Sequence, residues 1–183
     1  MSSRRLLVCS GLVLGLAVPV FSACGDNSGA GETTTTFAPS VLGLLTSDPT
    51  LTGAVRLLQA TGRDSAIRSG TPYTLLVPTN DALDVYAKSI GLADFEALVR
   101  AVEEDPQGKG SFVANVFVEG TITGKDFPAN AGETFSTLGG VDLTIGIENG
   151  GVILTAAKSK VTITAVNFAV GTVTVHVVDT VIG

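Results

Sequence analysis

The sequence contains very little cysteine, histidine, methionine or tryptophan: two Cys, one His, one Met and no Trp among 183 residues. A closed zinc site needs about four Cys or His ligands and an open catalytic site about three protein ligands, so this composition argues against a zinc protein. The single Met is Met1, which excludes internal thioether ligands. Without Trp, the chain has no obvious large aromatic platform for sugars or bases.

Basic residues are also scarce. The chain has 11 Lys and Arg against 17 Asp and Glu, a formal net charge of −6. Arg4 and Arg5 belong to a predicted leader, and its removal leaves nine basic residues and a net charge of −8. Such a charge repels phosphate backbones, so we expect no nucleic-acid partner.

The first 23 residues have the layout of a secretory signal peptide. Arg4 and Arg5 precede an apolar run from Leu6 to Val20, and small residues follow directly before Cys24. The run has 15 residues, fewer than the roughly 20 that a membrane-spanning helix needs, and Gly and Pro interrupt it. The sequence therefore predicts a removable leader over residues 1–23, with a retained transmembrane helix as the alternative.

The segment Phe21-Ser22-Ala23-Cys24 resembles a bacterial lipobox, in which the Cys becomes the lipidated first residue of the mature protein. Its only possible disulfide partner, Cys9, lies inside the leader and is lost with it. A diacylglyceryl group brings at least two acyl chains, which anchor a protein stably where one chain does not. We therefore predict an exported protein, anchored through Cys24 to the outer leaflet of the cell membrane or cell envelope.

After Cys24 the chain is polar and rich in Gly and Thr up to Ser40. Residues 24–40 are therefore predicted to be the lipidated Cys followed by a flexible linker. Residues 41–183 leave 143 positions, which fits one domain with a sizeable apolar core.

The first half of this domain has helical periodicity. Asp48-Pro49 is a good start for one helix, Asp94 caps a second, and Pro106 prevents the second from continuing. Between them, the segment from Tyr73 to Val77 reads as a buried strand that Pro78 ends. The apolar stripes of the two helices are Leu51, Ala54, Val55 and Leu58, and Phe95, Leu98, Val99 and Val102.

After Gly120 the apolar period changes to two, which indicates strands with one face in the core. The strong hairpin signal Asn149-Gly150-Gly151 joins two of these strands. The alternating apolar positions are Val141, Leu143, Ile145 and Ile147, then Val161, Ile163 and Ala165, and finally Val173, Val175 and Val177. Helices followed by strands predict an α+β fold.

Two segments of the domain resemble signatures of the fasciclin-like family, which occurs in bacterial surface lipoproteins and in adhesion proteins. One is Tyr73-Thr74-Leu75-Leu76-Val77-Pro78-Thr79-Asn80-Asp81-Ala82-Leu83, and the other is Gly171-Thr172-Val173-Thr174-Val175-His176-Val177-Val178-Asp179-Thr180-Val181-Ile182. The resemblance implies one fasciclin-like domain over 41–183, with N-terminal helices packed on a C-terminal antiparallel β-sandwich or wedge. It also implies a non-enzymatic adhesion module without metal or cofactor.

Residues of these signatures are predicted to be structural: Tyr73, Pro78, Thr79, Asn80, His176 and Asp179. Thr79 or Asn80 is a candidate N-cap, and Pro78 ends the strand without needing a donor. A lone His in a Val-rich strand is more often structural than a base, and Asp179 is then a partner or a turn residue. Adhesion members of animals commonly carry a Tyr-His receptor pair where this chain has Ala114 and Asn115.

Three other functions are open. One Ser with His176 and Asp179 could form a hydrolase triad, although the Gly-x-Ser-x-Gly elbow is absent. The neighbouring acids Asp81 and Asp84, or the run Glu103 to Asp105, lack the spacing of a calcium loop. The alternative to adhesion is a lipoprotein that binds a small apolar ligand or a carbohydrate in a cleft. The expected partners are the membrane, through the lipid, and a surface protein or polysaccharide.

Overall fold

The computed structural model describes residues 40–183, with Val166 and Asn167 described by their backbone alone. The predicted signal peptide, Cys24 and most of the predicted linker lie outside the described residues. The described α-helices are α1 (Val41–Ser47), α2 (Thr52–Ala60), α3 (Asp64–Arg68), α4 (Asn80–Ser89), α5 (Phe95–Glu104) and α6 (Asp126–Ala129). Two 3-10 helices cover Pro49–Leu51 and Ser111–Val116.

Seven described strands form one sheet in the order β2-β1-β7-β6-β5-β4-β3. Their bounds are β1 (Tyr73–Pro78), β2 (Phe117–Glu119), β3 (Thr134–Ser136), β4 (Asp142–Glu148), β5 (Gly151–Thr155), β6 (Lys160–Val170) and β7 (Val173–Val178). Every neighbouring pair is antiparallel except β1 and β7, which are parallel. The predicted α+β class is therefore confirmed, with a parallel pair, β1 and β7, that the sequence patterns did not indicate.

The two edge strands of this sheet meet. Val118 of β2 and Thr137 form an antiparallel bridge, and the Leu138 N–H donates to the Phe117 carbonyl at 2.8 Å. The sheet thus curls until it is nearly a closed barrel, which leaves little free strand edge.

The apolar core has two parts, one on each face of the central strands. The first lies between the helices and the sheet and includes Leu58, Leu83, Leu98, Val175 and Val177. The second fills the curled sheet and includes Leu76, Phe127, Leu143, Leu154 and Val178. Residues 40–183 thus contain two packed apolar clusters and the helices and strands that enclose them.

Local signals explain where the helices begin. Side chains cap their first turns by accepting backbone N–H groups, each such cap contributing about 1 kcal/mol. The acceptors are Ser40 for α1, Asp48 for the 3-10 turn before α2, Thr79 for α4 and Asp94 for α5. The predicted helix starts near Asp48 and Asp94 are thus confirmed.

The predicted hairpin is also present. Asn149 and Gly150 connect β4 to β5 with φ angles of 52° and 79°, the left-handed values that a two-residue turn of this kind requires. No helix among residues 40–183 is both long and apolar enough to cross a membrane.

Candidate functional site

The two signature segments lie side by side in the sheet, as its second and third strands. β1 and β7 pair in parallel from Tyr73 beside Val173 to Pro78 beside Val178. All six residues of β7 are buried, so the predicted alternation of core and solvent positions is wrong for this strand. Thr174 and His176, on the face expected to meet solvent, are 1% and 0% exposed. The signatures therefore build the framework between the two cores.

Tyr73 and Pro78 mark the two ends of β1. The Tyr73 ring packs edge-on against Phe117, with ring centres 5.8 Å apart. Pro78 is buried and ends the strand, and the next N–H, from Thr79, still donates to the Val178 carbonyl at 3.2 Å. Both residues thus fix β1 against its neighbours.

Thr79 and Asn80 serve different helices. The Thr79 hydroxyl accepts the Ala82 N–H at 3.2 Å and caps α4. The Asn80 carbonyl oxygen accepts the Gly53 N–H of α2 at 2.9 Å. The Asn80 amide donates to the Pro49 carbonyl at 3.0 Å and to Thr52 Oγ1 at 3.1 Å. Asn80 therefore joins the start of α4 to the start of α2.

His176 points its ring into the interior of the curled sheet. Its Nε2 lies 2.8 Å from the Ile122 carbonyl, which can only accept, so Nε2 carries the proton. The ring contacts Phe127 edge-on, with centres 5.0 Å apart. Burial lowers the pKa of His176, and the hydrogen bond with Ile122 only partly opposes this effect. A neutral, buried imidazole of this kind cannot reach an external substrate as a base.

Thr74 supports the same segment from β1. Its hydroxyl donates to the Gly120 carbonyl at 2.8 Å and accepts the Ile122 N–H at 2.8 Å. Together with His176, it satisfies both backbone groups of Ile122. These two buried polar side chains hold the segment around Ile122 against β1 and β7.

Asp179 extends the pairing of β6 with β7. Its carboxylate accepts the Thr162 N–H at 2.8 Å and the Thr180 hydroxyl at 3.0 Å. Its own N–H donates to the Thr162 carbonyl at 3.1 Å. Asp179 thus acts in the strand pairing and does not orient His176, so the pair that a hydrolase triad requires is not assembled.

Ala114 and Asn115 lie inside the protein, on the 3-10 helix Ser111–Val116, with exposures of 6% and 7%. The Asn115 amide donates to the Ile182 carbonyl at 3.0 Å, and its oxygen accepts the Thr137 hydroxyl at 3.2 Å. These positions brace the C-terminal segment and present no surface to a receptor. In the sequence, the signal for this buried network is Asn115 itself, a polar residue within the apolar run from Phe112 to Val118.

Two of the acidic residues considered as calcium ligands, Asp84 and Glu103, contact other parts of the domain. Asp84 accepts the Phe95 N–H at 2.6 Å and so joins α4 to α5. Glu103 lies 3.7 Å from Arg56, which also pairs with Glu96 at 2.5 Å. Within residues 40–183, no three His, Cys, Asp or Glu side chains form a group able to hold a metal ion.

Comparisons with known proteins agree with this architecture. A family model described as the fasciclin domain matches residues 49–183. Among solved structures, the chain is similar to a FAS1 domain pair from the insect cell adhesion molecule Fasciclin I, with a TM-score of 0.66 and 14% identity. That match covers 79% of this chain and 50% of the other, so this chain corresponds to about half of the pair. No curated protein sequence matches significantly.

Proposed function

This chain belongs to the fasciclin domain family, and from that premise we propose that it is an outward-facing, membrane-anchored lipoprotein whose domain binds surfaces without catalysis. The observation that carries the proposal is the family match over residues 49–183. The similar structure comes from a cell adhesion molecule, which supports adhesion as the role of this domain.

The use of the signature residues supports binding over chemistry. Asn80, His176 and Asp179 are polar residues of the signatures, and the side chain of each binds a backbone segment. An enzyme needs such groups to converge on a space that a substrate can enter. In this domain these polar residues are spread along the framework. We therefore place the binding function on the outer surface.

The anchor half of the proposal depends on the sequence before the domain. Cys24 follows an apolar leader, and a polar stretch separates it from Val41 at the start of α1. Two acyl chains on Cys24 would hold the protein on the outer leaflet, and the stretch would allow the domain to reach a partner. The proposed partners are a protein or polysaccharide of a cell surface or matrix.

A small apolar ligand is the second candidate function, favoured by a groove of about 250 Å³ beside α1. Leu44, Pro49, Leu51 and Phe168 contribute to its lining, and Phe168 is 42% exposed. Mostly apolar concave sites of this kind suit small apolar molecules.

Binding of residues 40–183 to isolated cell envelopes and matrix preparations tests the proposed function. We expect saturable binding. High salt should weaken it if the acidic surface attracts the partner, and strengthen it if that surface repels the partner. An unrelated acidic protein of similar size is the control and should not saturate. Absence of saturable binding to every preparation would contradict adhesion and favour the apolar-ligand function.

A further inference from the structure

A row of threonine hydroxyls crosses three strands on the outside of the curled sheet. Thr134 of β3 lies opposite Thr144 of β4, and Thr144 lies opposite Thr155 of β5. Neighbouring strands are about 4.8 Å apart, so the three side chains are evenly spaced. Thr134 and Thr155 are exposed and Thr144 is partly exposed. The Thr134 and Thr144 hydroxyls lie 2.9 Å apart and share a hydrogen bond, so the row offers their remaining bonding capacity and the Thr155 hydroxyl to a ligand lying across the strands.

This row leads into a cleft. Thr144 and Thr155, with Asp142, line an open space of about 600 Å³ that Lys158 and Gly183 border. Lys158 and Gly183 also border a second space of about 250 Å³, which extends toward α4. We call the first space the hydroxyl lobe and the second the α4 lobe. Because they share two residues, one extended ligand can occupy both.

The charged side chains that line the two lobes are two carboxylates and one ammonium group, so their net charge is negative. Asp142 lines the hydroxyl lobe, Asp179 lines the α4 lobe, and Lys158 lies between them. Lys158 forms no ion pair within the described part of the chain, whereas Lys160 nearby contacts Glu148 at 2.7 Å. An anionic ligand would meet both carboxylates and the net negative charge of the whole protein. A neutral ligand would meet donors and acceptors without this cost.

The α4 lobe adds an apolar surface. Val85 is 69% exposed, and the Tyr86 ring is fixed against Phe112 with centres 4.8 Å apart. The same lobe contains Ser159, whose buried Oγ has no hydrogen-bond partner among the described residues. Sugar rings combine apolar C–H faces with hydroxyl edges, so an apolar surface beside the exposed threonine hydroxyls of the hydroxyl lobe suits them.

We propose that the two-lobed cleft binds a neutral oligosaccharide, such as a segment of an uncharged surface polysaccharide. This inference rests on the proposed adhesive function and gives the chemical class of its partner. The hydroxyl lobe supplies hydrogen bonds through Thr144, Thr155 and Asp142, and Lys158 adds a charged donor. The α4 lobe holds the apolar face of a further sugar ring against Val85 and Tyr86.

The test is a titration of isotope-labelled residues 40–183 with neutral malto-, cello-, manno- and xylohexaose, followed by NMR. We expect at least one of them to shift the backbone signals of both lobes. The double variant Thr144→Val, Thr155→Val removes two hydroxyls at nearly constant volume and should weaken that binding about tenfold. Val85→Asp places a charge in the α4 lobe and should also weaken binding severalfold.

Thr172→Val is the matched control, because it removes a hydroxyl that donates to the Gly70 carbonyl outside both lobes. It should leave oligosaccharide binding unchanged. Unweakened binding by a folded double-Val variant, or by folded Val85→Asp, would overturn the two-lobed site. Failure of all four oligosaccharides to bind, while envelopes still bind, would overturn the inference and leave the adhesive function standing. Loss of envelope binding as well would contradict both.

Discussion

At the scale of a single residue, His176 makes the stability of the domain depend on pH. Its ring is neutral and is buried next to Phe127. Its pKa in the folded protein lies below the ordinary value of 6.5, chiefly because burial disfavours the charged ring. Below pH 6.5 the unfolded chain binds a proton that the folded protein does not. The contribution of His176 is therefore complete above this pH and is lost as the pH falls toward the folded pKa.

We expect the free energy of unfolding to fall between pH 7 and pH 5, by up to about 1.4 kcal/mol per pH unit below 6.5. Hydrogen bonds from Thr50 and Thr123 lower the pKa of Asp48 and Asp126 below 3.8, so these carboxyls titrate outside this window. Urea titrations across the pH range measure the slope. The non-titrating variant His176→Gln keeps an N–H for the Ile122 carbonyl and should flatten the slope of unfolding free energy against pH. An equally steep slope in this variant would show that His176 is not its source.

At the scale of elements, Asn80 connects two helices that are separated in sequence. Asn80→Ala removes the acceptor of the Gly53 N–H and the donor to the Pro49 carbonyl, so both helix starts lose support. We expect a loss of about 1–3 kcal/mol of unfolding free energy, measured by urea titration. Thr79→Ala removes only the cap of α4 and should cost about 1 kcal/mol.

Asn80→Asp separates the two functions of this side chain. It keeps an oxygen for the Gly53 N–H but loses the amide that donates to Pro49 and Thr52. Its stability should therefore lie between those of the wild type and Asn80→Ala. Two results together would show that the bridge between α2 and α4 has no energetic role. One is that Asn80→Ala lowers the free energy of unfolding no more than Thr79→Ala does. The other is that Asn80→Asp is no more stable than Asn80→Ala.

The elements themselves were predictable wherever their signals are local. Asp48, Asp94 and the Asn149-Gly150 turn each act within a few residues, and the structure confirms the helix starts and the hairpin that they indicate. Alternation in β7 predicted one buried face, but a strand pattern does not show what covers the other face. Thr174 and His176 are buried because β7 lies between β1 and β6 and because the segment around Ile122, 54 residues before His176, packs against it.

The candidate site was less predictable for the same reason. The role of Asn80 depends on Gly53, and that of Asn115 on Ile182, with separations of 27 and 67 residues. The two-lobed cleft combines α4, the turn around Lys158 and the C-terminal segment, which are far apart in the sequence. Such sites arise from the topology, in particular from the parallel pairing of β1 with β7.

At the scale of the whole molecule, the proposed function depends on Cys24, which lies before the domain. Removal of its thiol prevents lipidation, and no helix within residues 40–183 offers a substitute membrane span. We therefore expect Cys24→Ala to move the protein from the membrane fraction to the soluble fraction, and from the detergent to the aqueous phase in a phase-partitioning assay. Immunoblots of the two fractions measure this change.

Cys9→Ala is the matched control because it removes the other Cys, which lies inside the predicted leader and is absent from the mature protein. It should leave the protein in the membrane fraction, since processing and lipidation at Cys24 do not use the Cys9 thiol. If the wild-type protein and Cys24→Ala both stay in the membrane with an uncleaved leader, the apolar run from Leu6 to Val20 is itself the anchor. That result would replace the lipoprotein by a protein with a retained N-terminal helix, while the adhesive role of the domain would still stand on its own binding test.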